Sequence, residues 1–124
     1  MCKLVEAETN QGNKFMVADI KKDYILNIIK NAHLCSAIEE IVLFGSALEE
    51  RCTVESDIDI AIFGKKHETP FLTSKSYQEF TKKVFQYGDF QDYDMLYFRE
   101  DQRQKTGIYN SIRQGETIYK KRVM

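Results

Sequence analysis

The residues whose types and spacing can do chemistry lie in one short stretch, Gly45-Ser46-Ala47-Leu48-Glu49-Glu50-Arg51-Cys52-Thr53-Val54-Glu55-Ser56-Asp57-Ile58-Asp59. Asp57 and Asp59 are two apart in an alternating apolar segment, so on a strand both carboxylates leave the same face. Two such charges roughly 6–7 Å apart repel by about 2–3 kcal/mol at an effective dielectric near 20. Glu49, Glu50 and Glu55 deepen the same negative field. A divalent cation reverses the sign of that interaction, and hard carboxylate oxygens suit Mg²⁺ or Mn²⁺. Gly45-Ser46 follows an apolar run directly, at a sharp turn where glycine lets a ligand approach the backbone. The Ser46 hydroxyl and nearby backbone N–H groups suit a phosphate. Phosphates beside this many carboxylates need a bridging cation, so the two halves of the stretch point together to a metal–nucleotide site. Asp94, the polar residue inside Tyr93-Asp94-Met95-Leu96-Tyr97-Phe98, is the expected third carboxylate, able to ligate metal and take a proton from an attacking hydroxyl. Asp92, two residues earlier on the same face, is the alternative.

The flanking elements follow from periodicity. Residues 1–16 are polar and aperiodic and read as a loosely packed lead-in to a single domain over 17–124. From Val17 through Ile20, Tyr24, Ile25, Ile28, Ile29 and Ala32 the three- and four-residue steps predict an amphipathic helix ending near Leu34. Ile41–Phe44 reads as a buried strand and Asp57–Phe63 as a second, with Ile58, Ile60 and Ile62 on one face. Lys65 to Pro70 reads as turn and loop. A helix is predicted from about Ser74 to Tyr87, a strand over Tyr93–Phe98, and a last helix from about Gln102 to Gln114 with Ile108, Tyr109 and Ile112 inward. Ile118 and Tyr119 extend into a short terminal strand. This order predicts an α+β, two-layer fold: a short mixed β-sheet with helices packed on one face.

Composition narrows the class. A chain of 124 residues, 43% apolar, can fill one core and no second. Its net charge of −1 argues against a nucleic-acid platform, which needs a basic excess. No apolar run is long enough for a membrane span and no signal peptide is evident. Three cysteines without zinc-site spacing (Cys2, Cys35, Cys52) read as reduced thiols of a cytoplasmic protein. His33 and His67 lack any partner pattern, and nothing nearby in sequence activates Cys52.

The spacing Gly45-Ser46, ten residues, Asp57-Ile58-Asp59 resembles the minimal nucleotidyltransferase (MNT) domains of the DNA-polymerase-β-like superfamily. Fixed spacing of all four residues arises by chance in roughly one chain in several hundred. The resemblance covers about Ile20 to Lys120, including Gly115, Ile118 and Tyr119 of a family-like closing segment. It implies the polymerase-β palm-like nucleotidyltransferase fold, with Gly45 and Ser46 holding the triphosphate of ATP and Asp57, Asp59 and Asp94 binding two Mg²⁺ ions, or Mn²⁺. Stand-alone domains of this length resemble the antitoxin halves of HEPN–MNT toxin–antitoxin pairs, whose active members transfer AMP from ATP to a tyrosine of the HEPN partner. Relatives that modify aminoglycosides carry a further helical domain for the acceptor, so a HEPN-type partner protein and its tyrosine hydroxyl are the expected acceptor here. One departure stands out: the family's Gly-Ser-x-Ala-Arg-Gly is replaced by Gly45-Ser46-Ala47-Leu48-Glu49-Glu50, with Glu49 near the place of a basic residue and Arg51 two positions on.

Blander readings accompany each feature. Asp57 and Asp59 are also compatible with solubilising charges on a strand edge or with turn chemistry. Gly45-Ser46 alone would be a strand stop and helix cap, and Asp94 an exposed strand residue. An EF-hand fails because Ala61 and Ile62 stand where a ligand and glycine belong. Two functional alternatives remain: a catalytically weak binding module that neutralises a partner protein by occlusion, which Glu49 favours, and nucleotidyl transfer to a small molecule. The oligomeric state stays open, a homo-oligomer included.

Overall fold

Alternation in the first eighteen residues, hidden by their polarity, builds the first element of the structure. The computed structural model describes residues 2–88, 90–102 and 109–122. Strands β1 (Leu4–Glu8) and β2 (Lys14–Ala18) form an antiparallel hairpin, with Ala7 opposite Phe15 and Val5 opposite Val17. The stretch expected to be a loose lead-in is therefore folded. Phe15 and Val17 are buried while Lys14 and Met16 face out, the period of two that a strand requires. Thr9 to Asn13 closes the hairpin through the Thr9 N–H to the Asn13 carbonyl at 2.7 Å, with Gly12 at φ +86°.

The helix expected from Val17 begins later. Helix α1 spans Lys22–Asn31, preceded by a 3₁₀ turn at Asp19–Lys21 and followed by another at Ala32–Leu34. Val17 belongs to β2 because its neighbour across the hairpin satisfies its backbone. Next come β3 (Glu40–Phe44), a 3₁₀ turn (Gly45–Leu48), β4 (Ile58–Gly64), α2 (Glu68–Leu72), α3 (Lys75–Gln86), β5 (Tyr93–Arg99), α4 (Tyr109–Arg113) and β6 (Glu116–Lys120). Helix α2 replaces part of the loop expected at Lys65–Pro70. Pro70 is tolerated in a first helical turn, and Phe71 is buried against Tyr97, ring centroids 4.0 Å apart. Helix α3 is capped by Ser74, whose hydroxyl accepts the Tyr77 N–H. The expected helix at Gln102–Gln114 is helical over Tyr109–Arg113; Ile108 lies outside the described residues.

The main sheet has the order β5-β4-β3-β6 and is mixed: β4 pairs antiparallel with β3 and parallel with β5. Ile58, Ile60 and Ile62 face the larger core, where Ile25 and Ile28 of α1 and Phe80 and Val84 of α3 cover them. Val42, Phe44, Ala61 and Phe63 face the opposite side, packed with Ile112 of α4 and with Leu96 and Phe98. The hairpin docks on the sheet through Asn10, whose amide donates to the Lys120 carbonyl at 2.7 Å and whose oxygen accepts the Lys120 N–H at 2.9 Å. No helix among the described residues is long and apolar enough to cross a membrane. Cys2, Cys35 and Cys52 are buried and free.

Candidate active site

Three strands deliver the site to one end of the sheet. The β3–β4 register sets Phe44 opposite Asp59, and the parallel β4–β5 register sets Asp59 opposite Asp94. Asp59 and Asp94 are thus direct neighbours on one face, side chains pointing the same way. That face is the one carrying Phe44, Ala61 and Leu96, opposite the isoleucine core. Asp57 lies one residue before β4 and is exposed, as is Asp94; Asp59 is half-buried. Asp92 sits before β5 rather than opposite Asp59, and its carbonyl accepts the Ile58 N–H at 3.0 Å.

Gly45 explains how a carboxylate fits beneath the turn. Its φ of +80° lies in the left-handed region, and a Cβ there would overlap the Asp59 carboxylate. The chain leaves β3 extended at Phe44, reverses at Gly45 and enters the 3₁₀ turn, which anchors itself by the fully buried Ala47. Ser46 follows at once and is half-buried; its hydroxyl makes no hydrogen bond among the described residues. Gly45 and Asp59 are therefore brought together by geometry as well as by spacing, with Ser46 next in the chain. Glu49, the departure from the family pattern, is exposed and pairs with Arg51 through its guanidinium.

The electrostatics are those of an uncompensated acidic cluster. Burial pushes the Asp59 pKa up, and the negative charges of Asp94 and then Asp57 push it further. No hydrogen bond reaches the Asp59 carboxylate among the described residues, so its charge is opposed and not stabilised. Among the described residues no three His, Cys, Asp or Glu side chains close on a common ion-binding point. Of the expected set, backbone register aligns Asp59 with Asp94, Asp57 lies just outside the ladder, and the three side chains do not close on one point. A half-buried carboxylate without a donor, beside two more hard oxygen groups, is a donor set that suits a divalent cation.

Two residues absent from the sequence reading hold these pieces in place. Lys21, 1% exposed, donates from Nζ to the Val54 carbonyl at 3.2 Å, the Ser56 carbonyl at 2.7 Å and Gln91 Oε1 at 2.6 Å. Gln91 in turn donates from Nε2 to the Ser56 carbonyl at 3.1 Å and the Asp92 carbonyl at 2.7 Å. Burial lowers the Lys21 pKa, opposed by the nearby Cys52 and Asp57. A signal existed in the sequence: Lys21 stands four and seven residues before Ile25 and Ile28, so the 3₁₀ turn that carries it runs in line with the buried stripe of α1.

A strand, a glycine-serine turn, a second strand bearing Asp59 with Asp57 just before it, and a parallel strand bearing Asp94 make up the arrangement of a nucleotidyltransferase-type domain. The family model described as "Polymerase beta, Nucleotidyltransferase" matches residues 24–123, and the chain belongs to that family. No curated protein matches the chain.

Proposed function

We propose that this domain transfers AMP from ATP to a hydroxyl acceptor, the acceptor being a tyrosine of a HEPN-type helical partner that the transfer neutralises. The observation that carries the reading is the alignment of Asp59 with Asp94 beneath the Gly45-Ser46 turn, in a chain of the nucleotidyltransferase family. Asp57, Asp59 and Asp94 would hold two Mg²⁺, or Mn²⁺; bound there, the ions would neutralise the triphosphate and stabilise attacking and leaving oxygens. The Ser46 hydroxyl and the turn after Gly45 seat and orient the phosphates. Asp94, exposed at the edge of the cluster, takes the proton of the acceptor hydroxyl as its oxygen bonds to the α-phosphorus. The bond to the bridging oxygen breaks, and pyrophosphate leaves.

The test is Mg²⁺-dependent transfer from labelled ATP to a co-expressed helical partner, read by intact mass as added AMP. Activity retained in Asp57→Ala plus Asp59→Ala overturns the assignment. A second reading, a binding module that neutralises its partner by occlusion, is favoured by one observation: Arg51, the nearest basic side chain after Ser46, is engaged by Glu49. Neutralisation that survives both alanines, with no AMP added to the partner, selects it.

A further inference from the structure

The strongest unassigned feature is the buried ammonium beside the acidic cluster. Lysine is almost never fully buried without partners, and Lys21 has one acceptor for each of its three N–H donors. Those acceptors belong to two segments far apart in sequence. Val54 and Ser56 lie in the loop that ends at Asp57; Gln91 leads into β5 and Asp94. The Gln91 amide ties the same Ser56 carbonyl to the Asp92 carbonyl, which also accepts the first N–H of β4, that of Ile58. The register of β4 and β5 already sets Asp59 beside Asp94; the network spans the two segments whose relative position decides how Asp57, just outside β4, stands to that pair.

We propose that Lys21 is a positioning residue for the acidic cluster: its buried ammonium locks the Val54–Ser56 loop to the start of β5 and so holds the Asp57 segment beside the Asp59–Asp94 pair, the three carboxylates that would share a divalent cation. This rests on the metal reading above, and the charge of Lys21 makes it separable from a through-space effect. A positive charge near Asp57 opposes a cation, so its removal by field alone tightens cation binding. Loss of positioning weakens it.

The experiment titrates the full chain with Mn²⁺ alone and follows amide hydrogen exchange, in wild type, Lys21→Met and Gln91→Ala. In Lys21→Met the Mn²⁺ dissociation constant is expected to rise about tenfold, the size expected for loss of hydrogen bonds to a charged group. The Ile58 amide exchanges about tenfold faster while Ile60 and Ile62 keep their protection. Mn²⁺ affinity that is unchanged or tighter, in a wild type that binds, overturns the inference, even where exchange quickens, because the lysine is then a structural clamp alone. Should Lys21→Met not fold, Gln91→Ala carries the test: it keeps the ammonium, removes one acceptor and both amide bonds, and is expected to weaken Mn²⁺ about threefold; unchanged affinity there overturns the inference. A wild type that binds no Mn²⁺ overturns the metal reading and this inference together, an outcome distinct from a difference that fails to appear between variant and wild type.

Discussion

Replacing Asp59 by asparagine is expected to stabilise the metal-free protein at neutral pH, the opposite of what removing a favourable contact would do. Neighbouring strands lie about 4.8 Å apart, so the Asp59 and Asp94 carboxylates repel by roughly 3 kcal/mol at a dielectric near 20. Asp94 and Asp57 are exposed, and solvent screening reduces this toward about 1 kcal/mol. For a chain of this length that corresponds to a rise in Tm of roughly 3–5 °C. The pKa of Asp59 is raised in the folded state, so its contribution is fully favourable below the ordinary carboxylate value and is lost as pH climbs through the raised one. The stability gap between Asp59→Asn and wild type therefore opens with rising pH across that window and closes below it. The assay is thermal unfolding in chelator at low ionic strength, at neutral and acidic pH. If the proposed function holds, added Mg²⁺ and ATP are expected to reverse the order: wild type would gain about 1.4 kcal/mol at tenfold the dissociation constant, and Asp59→Asn would gain nothing. An asparagine variant less stable than wild type in chelator at pH 7 would refute the view of Asp59 as an opposed charge.

Two further substitutions test the turn and the hairpin. Gly45→Ala forces a Cβ into the Asp59 carboxylate at a left-handed φ and is expected to cost about 2 kcal/mol in urea unfolding; in an Asp59→Ala background the cost falls to about 1 kcal/mol, and an equal cost in both backgrounds would show that the overlap plays no part. Phe15→Ala is expected to cost about 3 kcal/mol, since the ring is buried in the main core; a loss well under about 1 kcal/mol would mean the hairpin is only loosely held.

Much of the strand and helix pattern was legible in the sequence because it rests on short-range periodicity. The isoleucine alternation at Ile58, Ile60 and Ile62 and the apolar stripes of α1 and α3 declare their buried faces whatever the rest of the chain does. The hairpin was missed although Asn10, Gly12 and Asn13 mark a turn, because polar outer residues diluted the alternation of Phe15 and Val17. Helix α2 was missed because Phe71 is fixed by Tyr97, twenty-six residues on.

The same division runs through the candidate site. The linear spacing of Gly45, Ser46, Asp57 and Asp59 is a property of one short stretch, and a turn followed by a strand carries it into space directly. The pairing of Asp59 with Asp94 rather than Asp92 is a matter of β4–β5 register, set by the side chains that pack on both faces of the sheet. The clamp of Lys21 on Ser56 and Gln91, thirty-five and seventy residues away, exists only after three segments have met. Residue types and spacing are local and determine which groups are available; register and long-range hydrogen bonds are collective, and the folded structure alone decides which of those groups face one another.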